Sequence, residues 1–233
     1  MKKRGFTLAE VLIAMALIGV ISALTLPTFI SNSRNRANAA KLSSTVNSVE
    51  TAFQTMMASQ AEDDFSQTSF GQNRDAASLG EFLKLNGDAD SLQDIGYNDM
   101  PFTQISNEGF NPGVSGVFIT KNGAVLVLNV SPQNLDADTV RRLGGSVTSS
   151  MGELFIDVNG SALPNKVGRD VFCFRIGDDG MLYPAGSLNY SILATSTDEN
   201  LWNADGGNMR CDNGVFTGGC TARLIENNYE VDY

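Results

Sequence analysis

A single carboxylate stands in the first long apolar stretch of the chain. From Phe6 to Ile30 the only ionisable side chain is Glu10. An unpaired, ionised carboxylate at the centre of a bilayer costs about 2.5 to 3.5 kcal/mol, and a place near a helix start softens that cost because the helix dipole favours an anion there. Opposite charges attract strongly in a low dielectric, so the chemistry that suits Glu10 is pairing with a cation.

Other kinds of chemistry have little support in the composition. The chain of 233 residues has no histidine, which excludes His-dependent catalytic triads and His-ligated metal sites. It also has no Gly-x-Ser-x-Gly elbow, phosphate loop or paired-cysteine metal pattern. We therefore expect no enzyme and no cofactor, with a Ser-Lys hydrolase as the remaining catalytic alternative. A net charge of -10 argues against binding a nucleic-acid backbone.

The apolar stretch is long enough to cross a membrane. As a helix it would measure roughly 37 Å at about 1.5 Å per residue, against a hydrocarbon layer of about 30 Å. Three basic residues in Met1–Gly5 place that leader in the cytoplasm and everything after Ile30 outside. Without the leader, 13 basic and 26 acidic side chains remain, so the exported part is strongly acidic. A secretory signal peptide or a plain anchor is the alternative, but neither explains Glu10.

The segment from Gly5 to Ala14, GFTLAEVLIA, together with the basic leader, resembles the amino-terminal signature of type IV prepilins and pseudopilins. The likeness extends through Gly19 and Pro27 to about Ile30. Ala9 departs slightly from it, since the family residue before the glutamate is often branched and apolar. The resemblance implies a type IV pilin fold.

In that family a prepilin peptidase cuts after the glycine and methylates the new amino terminus. Carried onto this sequence, cleavage falls between Gly5 and Phe6, and Phe6 is N-methylated. Gly5 has no Cβ, so its backbone can extend into a protease cleft at little steric cost. The new ammonium on Phe6 lies about 6 Å along the helix axis from Glu10 of the same chain. If Glu10 instead meets Phe6 of a neighbouring subunit, the pair sets the register between them, and Glu10 directs assembly.

Two residues weaken the apolar helix. Gly19 costs backbone entropy, and Pro27 lacks an N–H and clashes with the preceding turn, so the span between them is expected to kink or melt. The resemblance implies that this region unwinds when filaments pack. The alternative is that both residues have no special role, as is common in membrane helices.

Residues 31–60 continue the helix in amphipathic form. Apolar residues recur at spacings of four and three, which marks one helical face: Leu42, Val46, Val49, Phe53 and Met56. Fewer than three or four heptads make a coiled coil the weaker interpretation. We expect this face to pack against the chain's own sheet.

Residues 61–233 are expected to form a globular α+β head in which an antiparallel sheet packs on the long helix. Asn122-Gly123 between two β-rich runs predicts a hairpin. The expected strands are Gly116–Thr120, Ala124–Val130, Glu153–Val158, Val171–Ile176 and Met181–Tyr183, and the expected short helices are Ala76–Leu85 and Asp138–Leu143. The segments 88–111 and 196–219 are expected to be exposed acidic loops.

Cysteine usage fits an exported head. Many pilins close their carboxyl-terminal region with a disulfide, and the resemblance therefore implies a bond between Cys211 and Cys220, which would stabilise a segment poor in core residues. Cys173 lies in an apolar strand and is expected to be a small buried side chain.

Acidic loops supply oxygen atoms of the kind that calcium prefers: Asp157, Asn159, Asn165, Asp170, Asp178 and Asp179. Their spacing does not fit an EF-hand, and Asp and Asn stabilise turns through local hydrogen bonds. We therefore predict turns here and no metal, with a calcium site as the alternative.

The sequence as a whole predicts a structural subunit of a type IV pilus-like filament. Its expected partners are prepilin peptidase, copies of itself, other pilins or pseudopilins, and the inner-membrane assembly platform. The precursor would cross the cytoplasmic membrane once with its head outside, and then enter an extracellular filament or a periplasmic pseudopilus. The alternatives are a pseudopilin of a type II secretion system and a membrane-tethered adhesive or binding domain that never polymerises.

Overall fold

A computed structural model describes residues 7–104, 106–193, 211 and 217–233. Its first element is one helix of 53 residues, α1 (Leu8–Gln60), which includes both the apolar and the amphipathic halves. The helix ends at Ala61, which adopts a left-handed conformation and donates its N–H to the Met57 carbonyl. The prediction of one continuous helix up to Gln60 is thus confirmed.

Short helices and strands make up the head. After α1 the described helices are α2 (Ser69–Asn73), α3 (Ala76–Gly80), α4 (Ala137–Arg142), α5 (Leu188–Leu193) and α6 (Cys220–Glu226). The strands are β1 (Leu85–Ala89), β2 (Phe102–Thr103), β3 (Gly109–Phe110), β4 (Gly116–Thr120), β5 (Val125–Asn134), β6 (Ser149–Asp157), β7 (Val171–Gly177) and β8 (Leu182–Pro184).

Six strands form one antiparallel sheet in the order β1-β4-β5-β6-β7-β8. The predicted hairpin joins β4 to β5, and Gly123 supplies the positive φ of 78° that its turn requires. Strands β2 and β3 pair separately. A long amino-terminal helix followed by a six-stranded antiparallel sheet is an α+β architecture that fits the type IV pilin fold.

Two expectations for the head were wrong. The helix predicted over Ala76–Leu85 ends at Gly80, and Leu85 instead begins an edge strand whose residues pair with β4. The segment 88–111 is not simply an exposed loop, because it contains β2 and β3 and buries three large side chains: Leu92, Tyr97 and Phe102. Local sequence pattern did not reveal the tertiary contacts that hold either segment.

The core lies between α1 and one face of the sheet. The predicted stripe from Leu42 to Met56 is buried in it, which confirms that α1 packs on the chain's own sheet. Phe53 is at its centre, with its ring centroid 4.3 Å from that of Phe65 and 5.9 Å from that of Phe70. A second apolar cluster, which includes Tyr97 and Phe102, covers the opposite face of the sheet.

The sheet runs along α1, so the head has two distinct ends. At one end Asn38 Nδ2 donates to the Arg169 carbonyl at 3.2 Å, and Asn122 Nδ2 donates to Thr45 Oγ1 at 3.1 Å. At the other end Gln54 Nε2 donates to the Asp179 carbonyl. We call the end near Asn38, which is closer to the apolar half of α1, the base of the head, and the other end its tip.

Candidate functional site

Glu10 lies in the first turn of α1 and closes a reciprocal cap with Thr7. The Thr7 backbone N–H and its hydroxyl both donate to Glu10 Oε2 at 2.8 Å, and the Glu10 N–H donates to Thr7 Oγ1 at 3.3 Å. This is a capping box, which satisfies two of the backbone donors that a helix start leaves unpaired. The carboxylate therefore has local donors although its side chain is exposed.

Sequence reasoning did not single out Thr7. The signal was present, because a threonine followed three residues later by a glutamate before an apolar run is the pattern of a capping box. The cap fixes where the helix begins: Thr7 follows the proposed new terminus, Phe6, and the helix starts at Leu8. It also gives Glu10 a second role beside the predicted pairing with an ammonium.

The helix behind Glu10 presents its apolar side chains to the outside. Leu8, Ile18 and Leu24 are 80%, 63% and 72% exposed. Within the described residues, α1 is long and apolar enough to cross a membrane, as judged by length and composition. Side chains this apolar require a lipid or protein surface around them, and the helix fits a membrane-anchored precursor.

Helix α1 passes through both predicted weak points without a break. Pro27 leaves the carbonyl four residues earlier without its usual N–H donor, and the nearby hydroxyls of Thr25 and Thr28 donate to the Ile21 and Thr25 carbonyls, each at 2.9 Å. A Cβ on Gly19 would meet nothing within 4 Å. Melting of this span on assembly remains a prediction.

The predicted cleavage site lies outside the described residues. Gly5 and Phe6, with the leader before them, therefore keep the roles that the sequence suggests, as predictions. The structure places Glu10 in the first turn of α1, with its side chain exposed.

The predicted disulfide joins Cys211 to Cys220, which begins α6. The remaining cysteine, Cys173, is free and fully buried in β7, as expected. Burial raises the pKa of its thiol well above the ordinary value. Most of the segment 196–219 lies outside the described residues.

The acidic loops act as turns in the structure. Asp157 Oδ1 accepts from the Asn159 N–H at 3.1 Å, and Asp170 accepts from the N–H groups of Asn165 and Lys166. Asp179 Oδ1 likewise accepts from the Met181 N–H at 3.0 Å. Carboxylates that accept backbone donors in this way stabilise turns. Among the described residues no group of three or more acidic or cysteine side chains could hold a metal ion.

A pair of buried carboxylates nonetheless has unusual electrostatics. Asp157 is fully buried, and Tyr97 donates its hydroxyl to Asp157 Oδ2 at 2.7 Å. Burial raises the pKa of Asp157 to about 8, and the negative charge of Asp170 adds to the effect. Burial also raises the pKa of Asp170. Burial penalises the charged form of a carboxyl, so it favours the protonated form of both side chains.

We expect Asp157 to make the head less stable as pH rises. Its folded-state pKa of about 8 lies above the unfolded value. Its contribution to the free energy of unfolding is therefore complete below about pH 4 and is lost by about pH 8. Between these limits the free energy of unfolding falls by about 1.4 kcal/mol per pH unit. Replacing Asp157 by Asn should flatten the pH profile of unfolding, measured by urea denaturation at several pH values. The exposed Asp88→Asn change is the matched control, and an unchanged slope in Asp157→Asn would contradict the assignment.

Comparison with known proteins bears on the amino-terminal segment alone. No curated protein and no solved structure matches the chain. The family model of the prokaryotic N-terminal methylation motif matches residues 1–26. This match covers the leader, the cap formed by Thr7 and Glu10, and most of the apolar stretch. The chain therefore carries the prepilin-type signature.

Proposed function

We propose that the protein is a structural subunit of a type IV pilus-like filament, assembled through its amino-terminal helix. The observation that carries the proposal is the position of Glu10 in the first turn of an exposed apolar helix, within a matched methylation motif. The mature subunit would be residues 6–233, divided into a membrane and assembly segment (6–30), its amphipathic continuation (31–60) and a head (61–233).

The first steps would take place in the cytoplasmic membrane. The apolar half of α1 spans the bilayer, with the leader on the cytoplasmic side. Prepilin peptidase cuts after Gly5 by hydrolysis of the peptide bond, which releases the leader and leaves an α-ammonium on Phe6. Methylation of this amine keeps its charge and changes its number of N–H donors. Three leader charges are thereby replaced by one cation beside the helix start.

Assembly would then transfer Glu10 from a local partner to an intermolecular one. In the precursor its carboxylate accepts two hydrogen bonds from Thr7. In the filament the ammonium on Phe6 of an adjacent subunit offers a charged donor, and an ion pair in a low dielectric is stronger than a neutral hydrogen bond. The apolar side chains along α1 would pack against those of other subunits, in place of lipid.

A pseudopilin of a type II secretion system is the second candidate. The matched motif favours it equally, since the prepilin-type signature precedes both kinds of subunit. The two functions differ in where the polymer forms and how long it grows. Prepilin peptidase and the inner-membrane assembly platform are the proposed partners in either case.

Electron microscopy of a deletion strain and its complemented parent tests the proposal. We expect surface fibres in the parent that antibody to the head labels, and their loss in the deletion strain. Loss of secreted enzymes without any visible fibre would favour the pseudopilin. A head that binds a ligand tightly but never enters a polymer would contradict both and indicate a membrane-tethered binding domain.

A further inference from the structure

The base of the head carries a set of basic side chains close to the proposed membrane surface. Two of them, Arg34 and Arg36, are exposed on α1. At 1.5 Å per residue they lie about 6 and 9 Å beyond Ile30, the last residue of the apolar stretch. The polar headgroup region extends about 5 to 8 Å beyond the hydrocarbon on each side of a bilayer. Both guanidinium groups can therefore reach lipid phosphates.

The head contributes a third arginine about one helical turn beyond Arg34. The Asn38 amide, about 12 Å beyond Ile30, donates to the carbonyl of Arg169, which lies in the loop between β6 and β7. The Arg169 side chain is exposed. The hairpin residue Lys121 is exposed farther from the membrane, since the neighbouring Asn122 contacts Thr45, about 22 Å beyond Ile30.

The loop that carries Arg169 also presents an exposed apolar side chain. Leu163 is 77% exposed although it belongs to the head and not to the apolar half of α1. The loop around it is held in place, because Asn159 Nδ2 donates to the Ala162 carbonyl at 2.6 Å and Asp170 accepts from the Asn165 N–H at 3.1 Å. An exposed apolar side chain in a loop that also carries an exposed arginine suits the boundary between headgroups and acyl chains.

Acidic side chains at the base offset this charge only in part, with Glu230 exposed in the carboxyl-terminal segment whose Tyr233 hydroxyl donates to the Gly168 carbonyl. Asp232 is paired with Arg223 at 2.8 Å, and Asp157 and Asp170 are buried. Glu108 is exposed as well, and the preceding residue, Asn107, accepts a hydrogen bond from Lys166 Nζ. The chain as a whole has a net charge of -10, so a base rich in exposed arginine and lysine is a local departure from its composition.

Arg34 and Arg36 lie on the side of the membrane that basic residues usually avoid. Basic residues just outside a spanning helix oppose the orientation that the leader sets, because basic residues favour the cytoplasmic side. Once the leader is removed, they are the basic side chains nearest the apolar stretch. A surface of anionic lipid on the outer face would attract them there.

We propose that the base of the head docks onto the phosphate groups of an anionic phospholipid leaflet through Arg34, Arg36 and Arg169, with Leu163 inserted among the headgroups. This inference rests on the proposal that α1 spans a membrane. Docking holds every waiting subunit at one height, so that each Glu10 lies at the same depth before assembly. Extraction into a filament then breaks the contact.

The test uses the full chain in lipid nanodiscs made of phosphatidylcholine alone or mixed with phosphatidylglycerol. A Leu163→Cys variant accepts a fluorescent label selectively, because Cys173 is buried and the other two cysteines are bonded to each other. Quenching by nitroxide-bearing lipids reports contact with the bilayer. We expect about twofold more quenching in the anionic discs, falling as salt is raised, as for other electrostatic membrane contacts.

Adding Arg34→Gln and Arg36→Gln to the labelled variant should remove at least half of that increase. The matched control carries Arg141→Gln and Arg142→Gln in α4, which follows the tip end of β5 and should keep the full increase. Equal quenching in both kinds of disc overturns the docking proposal, and so does quenching that requires two chains per disc, which would indicate contact with a second copy. Failure of the chain to enter either disc would contradict the membrane-spanning role of α1 instead.

Discussion

Replacing Glu10 by Gln should reduce filament assembly at least tenfold while cleavage after Gly5 continues. The amide keeps the size of the side chain but cannot pair as an anion with a neighbour's ammonium, and that pair in a low dielectric is the strongest contact that the helix start offers. Sheared-fibre yield measures assembly, and mass spectrometry of the membrane-bound subunit measures processing.

Two further variants make this test specific to the charge at the helix start. The exposed head carboxylate Glu81, changed to Gln, alters the net charge by the same amount and should leave assembly unchanged. Thr7→Ser keeps the cap hydroxyl and should assemble normally. Normal fibres from Glu10→Gln would contradict the assembly role, and loss of cleavage in the same variant would place Glu10 in recognition by the peptidase.

Replacing Phe53 by Ala should destabilise the head by about 3 to 5 kcal/mol, the usual cost of removing a buried phenylalanine. Phe53 is 2% exposed and its ring contacts those of Phe65 and Phe70, so the cavity would open where α1 meets the head. A loss of this size is a large fraction of the stability of a typical domain, which is about 5 to 15 kcal/mol. Urea denaturation of the detergent-solubilised chain, followed by circular dichroism, measures it.

Thr51→Ala on the exposed face of the same helix is the matched control. Its hydroxyl only donates back to the Asn47 carbonyl at 2.6 Å, and alanine has the higher helix propensity. Its free energy of unfolding should change by less than about 0.5 kcal/mol. An equally small effect of Phe53→Ala would mean that α1 and the sheet do not unfold as one unit.

The parts of the fold that the sequence predicted are those in which spacing alone determines the contact. Leu42, Val49 and Phe53 lie on one helical face whatever surrounds them, and Asn122-Gly123 forms its turn locally. Strand β1 was missed because Asn86-Gly87 resembles a helix stop, whereas its partner is the edge of β4. Strands of two residues, such as β2 and β3, leave no periodicity to detect.

The candidate site also has one feature that the sequence reveals and others that only the folded structure reveals. The Thr7–Glu10 cap is visible as a spacing of three, although the apolar surroundings of Glu10 direct attention to a cationic partner instead. The bond from Tyr97 to Asp157 joins residues 60 positions apart, and no local pattern announces it. The raised pKa of Asp157 follows from burial, which is known only after the head has folded.

The alignment of the sheet with α1 has a mechanical consequence. Side-chain contacts between helix and head are spread from Asn38 at one end to Gln54 at the other. Tension applied along the helix would load these contacts side by side, in shear, instead of peeling them apart one at a time. A head attached in this way resists separation from its helix when the polymer is pulled. The force needed to separate the head from α1 should therefore be larger for a pull along the helix than for a pull across the sheet.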